Sequence, residues 1–279
     1  TLLGGSGQDE LRATGKTVNL DGGSDNDELR ADGRLYRNNQ SEYVSKGHAT
    51  LNGGLGNDRL YADYYSTAEL LGGSGNDYLY ANDSRDIKLF GEDGNDDLYS
   101  STYGGRSAET DGNQKLNQSV VLDGGNGNDR LTASISTAYY WHGQTVVSAN
   151  GGNGDDNITI NGYRQYASTT VSVSGGSGKD SINVYDSRAG NLSDGNHHGN
   201  SGFKSVAIDA GADDDTITVS GGLKTTITTG AGSDTIVLTA QQYHSQLEGD
   251  RQERNTDHQV IGTISADPIT ITDFTTGKG

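Results

Sequence analysis

The sequence predicts an all-β fold: a right-handed parallel β-solenoid of about ten coils, each about 19 residues long, with loop insertions on one edge. Two observations carry this. A glycine-rich unit ending in aspartate recurs ten times along the 279 residues. Between its copies run short segments in which apolar residues alternate, the period of a strand with one buried face. Composition alone points elsewhere, because 30% hydrophobic content with a net charge of −18 is typical of disorder. The repeat overrides composition. A narrow solenoid needs few apolar residues, since each turn buries its face on the next.

The aspartate closing each unit sets the register: Asp9, Asp27, Asp58, Asp77, Asp96, Asp129, Asp156, Asp180, Asp215 and Asp234. The gaps are 18, 31, 19, 19, 33, 27, 24, 35 and 19 residues, so 18 or 19 is the bare coil and longer gaps carry insertions. After each aspartate comes a first strand with Leu and Ala on one side, as in Leu60–Ala62 and Leu79–Ala81. A polar turn follows, then a second strand such as Val18–Leu20, Ile87–Leu89, Val120–Leu122, Val171–Val173 or Val206–Ile208, and then the next glycine turn. The extra residues always fall in the polar turn, at roughly 32–46, 103–117, 136–145, 162–168 and 187–203. Glycine turns are therefore expected to stack along one edge and insertions along the other. Residues 1–240 form the solenoid. Residues 241–279 form a further insertion and a closing strand.

The inward pairs change midway, from Leu11/Ala13, Leu29/Ala31, Leu60/Ala62, Leu79/Ala81 and Leu131/Ala133 to Ile158/Ile160, Ile182/Val184, Ile217/Val219 and Ile236/Leu238. A fuller, more β-branched core is expected in the second half. Outward, Tyr61, Tyr80 and Tyr99 occupy equivalent positions on successive coils and should form a ladder.

Each glycine turn needs positive φ at several positions, which glycine adopts without strain. Such a turn can aim carbonyl oxygens inward, and its aspartate adds a carboxylate. Oxygen-only ligation suits Ca²⁺, a hard cation taking roughly 6–8 oxygens. One turn has too few ligands, but two stacked turns can share an ion. Ten turns thus give up to nine sites, in a row between adjacent coils. The candidate ligands, turn by turn, are Gly5, Gly7 and Asp9; Gly23, Asp25 and Asp27; Gly54, Gly56 and Asp58; Gly73, Gly75 and Asp77; and Asp93, Gly94 and Asp96. The later turns offer Gly125, Gly127 and Asp129; Gly152, Gly154 and Asp156; Gly176, Gly178 and Asp180; Gly211, Asp213 and Asp215; and Gly230, Gly232 and Asp234. Without a cation the column would place like charges near the strand spacing of ~4.8 Å, which destabilises a sheet.

The unit Gly53-Gly54-Leu55-Gly56-Asn57-Asp58-Arg59-Leu60-Tyr61 resembles the nine-residue GGxGxDxUx repeat of the repeats-in-toxin (RTX) family, as do Gly72–Tyr80, Gly124–Thr132, Gly151–Thr159 and Gly175–Asn183. Ile271–Gly277 resembles the segment that often closes such blocks. The resemblance implies a Ca²⁺-dependent parallel β-roll, export by a type I system and folding outside the cell. Two departures stand out. Only one edge keeps the motif, so a single row of ions is expected. Several turns are worn: Asp25 and Glu92 replace glycines, Ala210, Ala212 and Asp213 alter the ninth turn, and Thr229 alters the tenth. Weaker sites are expected there, although Asp213, Asp214 and Asp215 supply extra carboxylates.

The 38 acidic against 20 basic residues disfavour nucleic acid and anionic membranes as partners. No apolar run approaches membrane-spanning length, and no signal peptide is visible. With 0 Cys a metal is the natural staple. The chain has 0 Met and reads as a segment of a longer protein. No nucleophile–base order, zinc motif or phosphate loop stands out, and the calcium column accounts for the carboxylate pairs, so no enzyme is expected. The outward turn positions lack the threonine rank of an ice-binding array. His197-His198 and the aromatic run Tyr139-Tyr140-Trp141-His142 fall in insertions; the latter is a candidate for stacking on glycans or anchoring a neighbouring surface protein. The expected role is a calcium-binding structural and interaction domain of a large secreted bacterial surface protein, an adhesin or surface-layer protein. The alternatives are an accessory module of a secreted lipase, protease or polysaccharide-modifying enzyme, or of a toxin.

Overall fold

The computed structural model describes residues 1–34, 47–104, 117–137, 143–163, 168–187, 203–220, 224–239 and 269–271. In chain order the strands are β1 (Leu2–Ser6), β2 (Glu10–Thr14), β3 (Thr17–Ser24), β4 (Glu28–Asp32), β5 (His48–Leu55), β6 (Arg59–Asp63), β7 (Thr67–Ser74), β8 (Tyr78–Asn82), β9 (Asp86–Asp93) and β10 (Asp97–Gly104). There follow β11 (Gln118–Asn126), β12 (Arg130–Thr137), β13 (Gln144–Asn153), β14 (Asn157–Tyr163), β15 (Ser168–Ser177), β16 (Ser181–Ser187), β17 (Phe203–Ala212), β18 (Thr216–Ser220), β19 (Thr225–Thr228), β20 (Thr235–Thr239) and β21 (Ile269–Ile271). The odd strands form one parallel sheet of 11 and the even strands another of 10, each stacked in chain order. No helix occurs among the described residues.

Each glycine turn carries the chain from an odd strand to the next even strand, and each insertion from an even strand to the next odd one. The two kinds of connection therefore lie on opposite edges, as the gap lengths predicted. Glycine positions align coil on coil, for example Gly54 with Gly73 and Gly73 with Glu92. The closing strand β21 extends the odd sheet on β19. The rest of the C-terminal segment lies outside the described residues, as do His197-His198 and Tyr139–His142.

The core is a column between the sheets. Leu29, Leu60, Leu79, Leu98, Leu131, Ile158, Ile182 and Ile217 follow one another in register and are all buried. The inner position beside them runs Ala31, Ala62, Ala81, Ser100, Ala133, Ile160, Val184 and Val219, so the change to β-branched filling occurs where the sequence placed it. The end-coil residues Leu11, Ala13, Ile236 and Leu238 are only partly buried.

The edge opposite the glycine turns has its own interior, which the periodicity did not reveal. Tyr65, Ser84, Gln118, Thr145, Thr169 and Phe203 are buried there. Ser84 Oγ accepts the Tyr65 N–H at 3.0 Å, and Thr145 Oγ1 donates to Gln118 Oε1 at 3.4 Å. Two glycines make room for the rings. A Cβ on Gly33 would stand 3.1 Å from Tyr65 Cδ1, and one on Gly162 would stand 2.6 Å from Phe203 Cζ. Gly162 sits inside β14, where a strand glycine marks such a close approach.

Tyr61, Tyr80 and Tyr99 form the expected ladder. Tyr80 and Tyr99 stack with centroids 5.3 Å apart and planes 2° from parallel, and Tyr61 is 6.2 Å from Tyr80. Arg30, in register below, lies 3.9 Å over the Tyr61 ring and is held by Glu28 at 2.7 Å. Tyr80→Ala is expected to cost about 1–3 kcal/mol, from lost ring contacts and buried area. Urea midpoints against wild type check this; a change under a few tenths would assign the ladder no stabilising role.

Candidate metal centre

In the six-residue turn, the second and fourth positions all have positive φ, from 77° at Asp25 and Glu92 to 144° at Gly232. This geometry points the carbonyls of those positions along the solenoid axis. A Cβ on Gly73 would strike the Gly54 carbonyl oxygen, and one on Gly75 the Gly56 carbonyl oxygen. The first glycine's carbonyl faces the other way. A Cβ on Gly72 would stand 2.5 Å from Asp77 Oδ2 and 2.7 Å from the Gly91 oxygen of the following coil. The carbonyls thus point into the gaps between coils rather than all inward, and the glycines are required by contact as well as by φ.

The sixth-position aspartates form one continuous ladder. Each backbone N–H donates to Oδ1 of the next coil's aspartate: Asp9 to Asp27, Asp27 to Asp58, Asp58 to Asp77, Asp77 to Asp96 and Asp96 to Asp129, all at 2.7 Å. The rungs continue through Asp156, Asp180 and Asp215 to Asp234, at 2.8 to 3.0 Å. All ten predicted aspartates are brought into this column. The eight from Asp27 to Asp215 are at most 3% exposed.

Their second oxygens are the anomaly. Oδ2 of Asp9, Asp27, Asp58, Asp77, Asp96, Asp129, Asp156, Asp180 and Asp215 is buried and accepts no hydrogen bond. A buried polar atom without a partner costs the desolvation it is not repaid for, and a whole row of them calls for a cation or ordered water. Burial pushes Asp96 and Asp156 up to about 7, and Asp77, Asp180 and Asp215 up to about 6, with neighbouring aspartates adding to the rise. Asp27, Asp58 and Asp129 are raised by the same desolvation.

The sequence reading missed a second ladder. The fifth-position N–H groups donate the opposite way, to the preceding coil: Asn57 to Asn26 Oδ1, Asn76 to Asn57, Asn95 to Asn76, and Asn128 to Asn95, at 2.6 to 2.7 Å. Asp155 and Lys179 prolong it at 2.8 Å. Lys179 carries no side-chain acceptor, so the rung to Asp214 is replaced by its Nζ on Asp214 Oδ2 at 3.1 Å. The signal was present as Asn or Asp at a fixed place in the unit. Asp93, also among the predicted ligands, lies on the exposed third position, where its Oδ1 accepts from Asn126 at 2.7 Å.

Among the described residues no three His, Cys, Asp or Glu side chains converge on one point. A cation held here would take backbone carbonyls with one or two carboxylates, an all-oxygen set that fits Ca²⁺. The orphaned Oδ2 atoms and the carbonyls facing across each gap supply that set, so the residues present fit the ion.

These features define a cation-binding parallel β-roll. The family model of the RTX calcium-binding nonapeptide repeat (4 copies) matches residues 3–33, 44–63, 71–102 and 119–135, and these stretches are RTX calcium-binding repeats. The turns closing at Asp156, Asp180, Asp215 and Asp234 lie beyond those matches, yet they continue the same ladder. No curated protein and no solved structure matches the chain.

The raised carboxyls set a pH dependence for the calcium-depleted protein. Between the unfolded value of 3.8 and the folded values of about 6 to 7, the native state binds more protons than the unfolded one. Unfolding free energy therefore falls as pH rises through that window, and the full penalty applies above about pH 7. The urea midpoint of calcium-depleted protein should be higher at pH 5 than at pH 8. An equal or lower midpoint at pH 5 contradicts the buried-carboxylate assignment.

Proposed function

We propose that this chain is a structural and interaction domain of a secreted bacterial cell-surface protein, of adhesin or surface-layer type, that folds on Ca²⁺ after export by a type I system. The observation that carries the reading is the row of nine buried, unpartnered carboxylate oxygens. In calcium-poor cytoplasm those carboxylates oppose folding by desolvation and mutual repulsion. Outside the cell each bound ion stabilises the folded coil alone, by ~2.7 kcal/mol when calcium is at 100 times its dissociation constant. The chain supplies the carbonyls and carboxylates that bind and the glycine backbone that lets coils approach. Ca²⁺ supplies the counter-charge. Interaction is assigned to the insertions, the part of the chain free to vary without breaking either ladder, with glycans or neighbouring surface proteins as the occupants. The domain carries out no catalysis in this reading.

Far-UV circular dichroism of calcium-depleted protein, before and after adding Ca²⁺, tests the proposal. At pH 8 the β spectrum should be lost at far lower urea without the ion than with it. A urea midpoint that calcium does not move would sink it.

A further inference from the structure

The second and fourth turn positions hold twenty residues of positive φ, of which seventeen are glycine. The other three are Asp25 at 77°, Glu92 at 77° and Asp213 at 79°. All three carry a carboxylate. Asparagine would bear this backbone at least as well as Asp and better than Glu, so tolerance of the conformation does not select an acid. The side chains are exposed on the turn surface, in register with glycines that pack against the neighbouring coil's carbonyls. Each lies within electrostatic reach of a buried aspartate whose Oδ2 has no hydrogen bond. Asp25 and Asp213 stand two residues before Asp27 and Asp215 in the same turns, and Glu92 pairs in register with Gly73 of the turn that Asp77 closes. Asp25 Oδ2 also accepts the Gly7 N–H of the preceding coil at 3.0 Å. Two carboxylates facing one gap repel unless a cation lies between them.

We propose that Asp25, Glu92 and Asp213 are added calcium ligands, and that the turns with a missing glycine are the tightest cation sites of the row rather than the weakest. This rests on the calcium reading above. It reverses the expectation from motif wear. The lost glycine strains the turn, and the gained carboxylate raises the negative charge around the ion, which tightens oxygen-ligand sites.

Glycine substitution separates strain from ligation, because it removes both at once with opposite effects. Calcium titration by calorimetry and thermal melts would use the whole depleted chain as wild type, Glu92→Gly, Glu92→Gln and the triple Asp25→Gly/Glu92→Gly/Asp213→Gly. In the absence of calcium the glycine variants should melt higher than wild type. With calcium that gain should vanish, and the tightest phase of the titration should weaken at least tenfold in the triple variant. Glu92→Gln keeps the strain and should lose one ion from that phase. Glycine variants that melt higher by the same amount with and without calcium, with the tight phase intact, overturn the proposal and leave the calcium row standing. A wild type that takes up no calcium overturns both.

Discussion

Asp96→Asn is expected to raise stability without calcium and lower it with calcium. The amide oxygen can still accept the Asp77 N–H that Asp96 Oδ1 now accepts at 2.7 Å, so the ladder survives. What disappears is a buried charge that burial pushes up to about 7. At pH 8 in chelator the variant should unfold at higher urea than wild type, and its midpoint should change less between pH 5 and pH 8. With calcium the order should invert, because one junction loses its anionic ligand. Asp96→Ala separates the two roles: it also orphans the buried Asp77 N–H and should cost about 1–3 kcal/mol in either condition. Equal shifts of both variants with and without calcium would remove Asp96 from the metal row.

The second large effect belongs to Gly94→Ala. A Cβ there would land on the Gly75 carbonyl oxygen, and φ is 138°, outside the range an L-residue adopts comfortably. Strain and clash add, and neither neighbour is the end of a flexible side chain. A loss of about 4 kcal/mol or more is expected, an amount single substitutions rarely reach. Gly7→Ala is the control. Its φ of 99° is also positive, but a Cβ there meets nothing within 4 Å. Only the backbone term remains, about 1–3 kcal/mol. Equal urea midpoints for the two variants would mean that coil-to-coil contact does not select the interior glycines.

The coil, its register and its buried aspartate column were legible because each rests on a short-range rule repeated ten times. Alternating Leu and Ala faces one way in any strand, and a Gly-Gly-x-Gly-x-Asp turn has few conformations. Tyr65 and Phe203 were not legible for the converse reason. They occur once each, on the edge opposite the glycine turns, and are buried only because Gly33 and Gly162 open space for them from elsewhere in the chain. The asparagine ladder was overlooked because exposed Asn in a turn usually serves its own loop, whereas Asn26, Asn57, Asn76 and Asn95 serve the next coil. The direction of the carbonyls could not be read from composition at all, since it depends on signs of φ that glycine leaves open.

The two side-chain ladders run in opposite directions, one donating forward from the aspartates and one backward from the asparagines. From the turn closing at Asp58 to the turn closing at Asp156, each coil therefore presents one donor and one acceptor to each neighbour, in the same arrangement. Cutting out or duplicating a complete coil rejoins these valences without loss. Removing part of one strands them. Such a gene can change length cheaply only in steps of whole turns, so relatives of this protein should differ in reach by multiples of one coil while keeping the same cross-section.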